Sequence, residues 1–345
     1  MNTKHESEQP EHEREQNSVR TTTPVKLSKE QLRALSEVNP YISTCHILLE
    51  WTAIVLAATI CHRFWNPLLY LATVVVIGAR QHALLILMHD GTHYRLFRNR
   101  SLNDWVTEVL LAWPHLVTMR SYRDNHLAHH NYVNTDSDPD WMRKKDNVEW
   151  RFPQSARSLC LIFLRDLVGI GGINLIRLAS SLSSAARVPS KAFTRIRLAF
   201  YVTVIGVLVA AGCGEALVVY WLVPFFTWLV LIMRIRSIAE HFAIAEMPGA
   251  YGQTRTTYAG LLARLFVAPK NVNYHIEHHF FPSVPFYRLP ELHSLLMSKP
   301  EFVEAAHISA SYRKVLFECM SRANCKGSAA IKIRSEAGSL ALLES

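Results

Sequence analysis

The chain has 345 residues, half of them hydrophobic and only 19% charged, with a formal net charge of +9. That is less charge than a soluble domain carries, while a mean hydropathy of +0.08 is too low for a chain lying almost wholly in lipid. The balance describes a membrane protein with a substantial polar part, and the positive surplus suits anionic headgroups or an acidic partner. Nucleic acid is a poor alternative, because the basic residues form no block interleaved with aromatics. The six cysteines contain no CxxC pair and suggest neither a disulfide framework nor a zinc site. They fit a reduced, cytoplasmic face. The acidic N-terminus lacks the basic and apolar regions of a cleaved signal peptide.

Residues 1–25 are charged and nearly free of large apolar side chains, so a disordered tail is expected. A short helix should begin at Ser28, with Gln31 completing a capping box and Leu27 and Leu32 a staple; Pro40 is expected to stop it. Four apolar stretches follow, at about 45–63, 67–88, 196–211 and 215–233. Each approaches the roughly 20 residues that cross a bilayer. Asn66-Pro67 joins the first two and Gly212-Cys213-Gly214 the last two, giving two hairpins. The segment 88–197 between them carries sixteen Lys and Arg, against one in the two tight turns. The positive-inside rule then places the long segment and both termini in the cytoplasm.

Trp105–Met119 and Leu159–Leu182 read as interfacial or re-entrant helices. Leu289–Met297 and Glu301–Met320 read as amphipathic helices, and 326–345 as a loose tail. The expected fold class is therefore all-α integral membrane, with about four transmembrane helices in two hairpins, 45–88 and 196–233. A cytoplasmic helical cap, 89–195 and 234–325, completes one domain over 26–325.

Three histidine clusters stand out. His275, His278 and His279 fall at i, i+3 and i+4, and His126, His129 and His130 repeat that spacing. On a helix such positions share a face, about 5–6 Å apart at Cβ. His89 and His93 form an i, i+4 pair. A ninth candidate, His241, lies about 12 Å beyond the end of the fourth span at 1.5 Å per residue. So many nitrogen ligands are too many for one ion and suit two side by side. Zinc is disfavoured, since neither Cys-rich spacing nor HExxH is present. A histidine-rich set nearly free of thiolate fits iron, copper or nickel. A pair of irons is attractive, since breaking an unactivated C–H bond with O2 needs a redox-active metal.

These motifs, His89-Asp90-Gly91-Thr92-His93, His126–His130 and Asn273–Pro282 continuing through Pro285 to His293, resemble the membrane-bound fatty-acid desaturase and hydroxylase superfamily. The likeness covers roughly 40–320, hairpins included. It implies a diiron centre on the cytoplasmic face, consumption of O2, and a separate electron donor, a ferredoxin or cytochrome b5 with its reductase. No fused cytochrome b5 haem motif (His-Pro-Gly-Gly) occurs. The implied reaction introduces a C=C bond into an acyl chain. Hydroxylation or ketone formation on the same scaffold is the alternative, as is a small amino-acid-derived substrate such as dihydrorhizobitoxine. The implied address is a bacterial inner membrane. Where animal acyl-CoA members carry an asparagine one turn before the extra histidine, this chain has Ser237, which weakens the likeness to that branch.

Asp90, Ser237 and Glu240 are expected to support the ligands from behind, and Glu277 to be a bystander or a similar support. Asp136, Asp138 and Asp140 are expected as turn formers or partners of Arg143 and Lys144. Arg80, inside a span, should either bind a polar substrate end or pair with Glu50. His82, His115, His293 and His307 are expected in the core without ligating, and His46 and His62 at the interface.

Overall fold

A computed structural model describes residues 24–173, 190–244 and 251–321. The expected tail at 1–25 lies outside the described residues except for Pro24 and Val25, and 326–345 lies wholly outside them. Val25 is held, its N–H donating to the Tyr251 hydroxyl at 2.7 Å.

The first helix, α1 (Lys29–Leu35), has the expected capping box between Ser28 and Gln31. Pro40 does not end it. Instead Pro40 opens α2 (Pro40–Arg63), where Asn39 caps by accepting from the N–H groups of Tyr41 and Ile42. Proline at the first helical position forfeits no hydrogen bond, so Asn-Pro is a start signal there. The first span therefore begins five residues before the expected 45. Asn66-Pro67 repeats the device at α3 (Pro67–Thr92), Asn66 accepting from the Leu69 N–H.

Beyond α3 the chain forms α4 (Arg100–Val106), which runs through a π-turn (Thr107–Ala112) into a 3-10 turn (Trp113–His115). Leu116, at φ 63°, turns the chain back. The helices α5 (Met119–Tyr132), α6 (Pro139–Lys144) and α7 (Ala156–Leu167) follow. The second hairpin is α8 (Lys191–Ala210) and a 28-residue limb, Gly214–His241. That limb comprises α9 (Gly214–Leu217), a π-turn (Val218–Leu222), α10 (Val223–Phe226) and α11 (Trp228–His241). Pro224 lies next to the break, where it deprives the ladder of one donor.

The remaining cap contains β1 (Thr256–Thr257), α12 (Leu261–Phe266), α13 (His275–Phe280), α14 (Leu289–Met297), α15 (Pro300–Ala305), β2 (Ile308–Ser309) and α16 (Tyr312–Met320). The expected helix Glu301–Met320 is thus two helices. Ile308 and Ser309 leave helical conformation to pair in parallel with Thr256 and Thr257.

Among the described residues four helical stretches are long and apolar enough to cross a membrane, ending at Arg63, Thr92, Ala210 and His241. Trp105–Met119 is instead a short broken helix with Leu111, Ala112 and Trp113 buried. The Leu159–Leu182 stretch gives the twelve-residue α7, and its part from 174 onward lies outside the described residues. Leu48, Val55 and Ile60 on α2, and Leu198, Val202 and Val209 on α8, are exposed apolar side chains. A lipid solvent accounts for them.

Most of α3 is buried, and close backbone approach explains why. A side chain at Gly78 would meet Trp228, and one at Gly91 would collide with the Thr107 side chain, its Cγ2 only 2.6 Å away. Gly91→Ala should therefore destabilise the fold by about 1–3 kcal/mol, the usual cost of overpacking. Thermal unfolding in detergent should show Gly91→Ala alone melting lower, and the pair with Thr107→Ala recovering most of the loss.

Candidate metal centre

The ends of α3 and α11 deliver His89 and His241 to one buried layer. The α5 triplet and the α13 triplet enter that layer from the cap. Ring nitrogens of His89, His93, His126, His130 and His278 lie within 4.8 Å of one another, and those of His129, His241, His275 and His279 form a second such group. All nine histidines singled out by spacing are brought together, split five and four. The α5 triplet divides between the groups, as does the α13 triplet.

Within the first group, His126 Nε2 is 2.9 Å from both His93 Nε2 and His130 Nε2, and His278 Nε2 is 3.0 Å from His130 Nε2. Within the second, His241 Nε2 lies 2.7 Å from His275 Nε2 and 3.1 Å from His129 Nε2. Two nitrogens about 2.1 Å from one ion and at right angles are about 3 Å apart, so this convergence fits shared cations. The orphaned atoms agree. Both nitrogens of His89 and Nε2 of His279 are buried without a hydrogen-bond partner among the described residues. Leaving such groups unsatisfied costs about 1–3 kcal/mol each, and a metal ion would satisfy them.

Burial also sets the protonation. It holds the imidazoles of His126, His275, His278 and His279 well below their ordinary range, with neighbouring imidazoles adding to the effect. Burial first, then Arg95 and Arg123, lowers His93 to about 4; burial with His93 and His129 lowers His130 to about 3. Neutral imidazole is the form that binds metals.

Two arginines hold the ligand-bearing helix ends. The four last carbonyls of a helix lack intrahelical partners, and the negative end of its dipole favours a cation. Arg123 donates to Thr92 O at 2.9 Å and Gly91 O at 3.1 Å, backed by Asp104 at 2.7 Å. Arg255, fully buried, donates to Ile238 O, Ala239 O and Ala243 O at 3.3, 3.2 and 2.7 Å. Its counter-ion is Glu318, at 3.0 Å. The β-ladder secures α13, because Thr256 Oγ1 accepts from the Ile276 N–H at 3.2 Å and Thr256 donates to Glu277 at 2.5 Å.

The supporting residues depart in part from expectation. Asp90 Oδ1 is 3.7 Å from His89 Nδ1, too long for a hydrogen bond; its Oδ2 accepts from the Phe286 N–H at 2.8 Å. Asp90 therefore ties the first box to the chain after the third. Ser237 Oγ accepts from Lys144 Nζ at 2.7 Å and touches no histidine among the described residues. Glu240 faces His275 Nδ1 at 3.6 Å and pairs with Arg236 at 2.6 Å. Glu277 is buried against His293 Nδ1 at 2.5 Å.

Among the described residues, the carboxylate within hydrogen-bond length of a cluster histidine is Asp138, whose Oδ2 is 2.9 Å from His129 Nδ1. It also caps α6 by accepting from the Asp140 N–H, as a turn former would. Asp140 pairs with Arg143 and Lys144, and Asp136 with Lys145. Arg80 pairs with Glu50 at 3.1 Å, and Lys270 meets the same carboxylate at 2.5 Å. His46 receives a hydrogen bond from Lys270 at 2.7 Å, and His62 is exposed. His82, His115, His293 and His307 lie in neither cluster.

Nine clustered histidines, gathered at the ends of two helices long and apolar enough to cross a membrane and on two shorter helices of the cap, form two groups that could each hold a metal ion. The model of the fatty acid desaturase family matches residues 64–311. The chain belongs to that family and is an oxidoreductase. It is 26% identical over 299 residues to a dihydrorhizobitoxine desaturase from Bradyrhizobium elkanii, covering 82% of this chain and 83% of the relative. A sphingolipid delta(4)-desaturase/C4-monooxygenase from Homo sapiens is 25% identical over 297 residues, covering 83% of each. An sn-1 acyl-lipid omega-3 desaturase (ferredoxin) from Synechocystis is 23% identical over 251 residues, covering 68% of each.

Two outcomes follow from the geometry. Replacing Arg255 by Met leaves Glu318 without its guanidinium and the α11 carbonyls uncapped, so stability should fall by about 3–5 kcal/mol, read as a lower thermal midpoint. The metal-free protein should lose stability as pH falls from about 6.5 toward about 4, because the unfolded chain binds protons there that folded His93 and its neighbours do not. A flat melting temperature across that window would contradict the buried neutral layer.

Proposed function

We propose that the protein is an O2-dependent desaturase whose nine clustered histidines hold two irons. His89, His93, His126, His130 and His278 would hold one, and His129, His241, His275 and His279 the other. The observation that carries this is the split into two groups, each with its ring nitrogens within 4.8 Å. Bound iron supplies the O2-activating chemistry that removes two hydrogens from a saturated carbon–carbon bond, with reduction of O2 to water. The chain's own part is to keep the imidazoles neutral, to fix the His129 ring through Asp138, and to lock α3 and α11 at the layer.

The electrons come from a separate donor of ferredoxin or cytochrome b5 type with its reductase; a relative named for ferredoxin supports the first. The positive charge of the long segment between the hairpins supports placing the cap, site and termini in the cytoplasm, with the spans in a bacterial inner membrane. A basic surface there would suit an acidic donor. The substrate is an acyl chain or an acyl-like molecule. A relative named for a small metabolite and another named for a sphingolipid support the two ends of that range. Hydroxylation is the second reading, favoured by the relative whose name joins desaturase to C4-monooxygenase.

The test is expression in a bacterial host with a matched donor, with mass spectrometry of lipids and polar metabolites. The purified chain should hold about two irons, and one product should carry one new double bond. His278→Ala should lose both iron and product. Metal content near zero in the parent, or undiminished product in the variant, would sink the proposal. Label from 18O2 appearing in the product would instead establish the hydroxylase outcome.

A further inference from the structure

The side of the histidine layer that faces the membrane spans is not apolar. Five residues before His241 on α11, about 7.5 Å along the axis at 1.5 Å per residue, stands Arg236. Its Nε donates to Glu240 Oε1 at 2.6 Å, and the side chain is 16% exposed. The outer edge, Nη1 and Nη2, donates to nothing among the described residues. On α3, His82 precedes His89 by seven residues, two turns, so it shares that ligand's face about 10.5 Å deeper. His82 is fully buried, and both of its ring nitrogens lack a partner among the described residues. Tyr122, stacked on His126 at 5.3 Å, lies nearby.

A guanidinium edge and an unsatisfied imidazole beneath a metal layer form a poor wall for a hydrocarbon chain. Methylenes packed there would cover hydrogen-bond donors and return nothing to them. The parallel N–H groups of a guanidinium instead match the two oxygens of a carboxylate.

We propose that the Nη edge of Arg236 binds the carboxylate of the substrate, and that His82 hydrogen-bonds a second polar group on it. The substrate is then a compact carboxylic acid with its carboxylate a few bonds from the reacting carbon, rather than an acyl chain in ester or thioester linkage. This rests on the desaturase reading above and narrows it.

The test titrates purified, metal-loaded enzyme with 2-aminohexanoate, its methyl ester and palmitate, following thermal stabilisation, with metal content measured in parallel. The free acid should stabilise the protein, and the ester and palmitate should not. Arg236→Gln should weaken binding of the acid roughly ten- to hundredfold, the range of a lost charged hydrogen bond, with metal per chain unchanged. Equal binding of the ester, of palmitate, or by Arg236→Gln overturns the proposal. If Arg236→Gln loses metal through Glu240 and His275, Arg236→Lys decides. Retained metal with binding at least tenfold weaker supports the fork, and binding equal to the parent overturns it. A double bond in membrane lipid, formed as fast by Arg236→Gln as by the parent, removes the compact-acid proposal and leaves the desaturase reading standing. No double bond in any product of the metal-loaded parent removes both.

Discussion

Nine imidazoles in one buried layer cannot satisfy one another. Each neutral ring offers one donor and one acceptor, yet His89 and His279 keep nitrogens with no partner among the described residues. A fold that spends this much buried polarity must recover it from something bound. The neighbouring structure shows the same constraint, because several polar groups beside the layer are engaged elsewhere and Asp138 meets only Nδ1 of His129, leaving its Nε2 to the layer. Glu277 is taken by His293 and Thr256, Asp90 by the Phe286 amide, and Ser237 by Lys144.

The layer exists only because two membrane-length helices end at the same height and are held there. An uncapped C-terminus would fray into several open carbonyls. Arg123 and Arg255 prevent this at α3 and α11, each neutralised by its own carboxylate. Both bonds are formed by segments that arrive later in the chain, from α5 and from the loop leading into β1. The helices therefore reach their final register only when the cap closes on them. Cap and spans are in this sense one cooperative unit, although hydropathy separates them sharply.

The parts legible from residues alone are those with a period. Spacing at i, i+3 and i+4 identified eight ring positions, and continuation of an apolar helix past the membrane reached His241. Parts that depend on distant partners were not legible. Asp138 meets His129 across a turn, and Arg255 meets carbonyls 12 to 17 residues earlier from a segment that shows no periodicity. Adjacency misled in the opposite direction. Neighbours on a helix are about 100° apart and do not share a face, so Asp90 stays beyond hydrogen-bond length of His89 and bonds the Phe286 amide instead. Glu240 faces His275 on another helix, at 3.6 Å, rather than His241 beside it. Pro40 misled for a related reason, since proline's effect depends on whether it stands inside a helix or at its first position.

The histidine layer specifies a chemistry, but its two faces differ in what they can recognise. On the cap side, the carboxylates are bound to histidines, amides and lysines and have little left to offer a substrate. On the membrane side, Arg236 and His82 still hold unused donors. Metal ligation leaves these groups untouched, because neither points a nitrogen into the two clusters. On the proposal above, selectivity between an apolar chain and a charged small molecule is set one to two helical turns below the ligands.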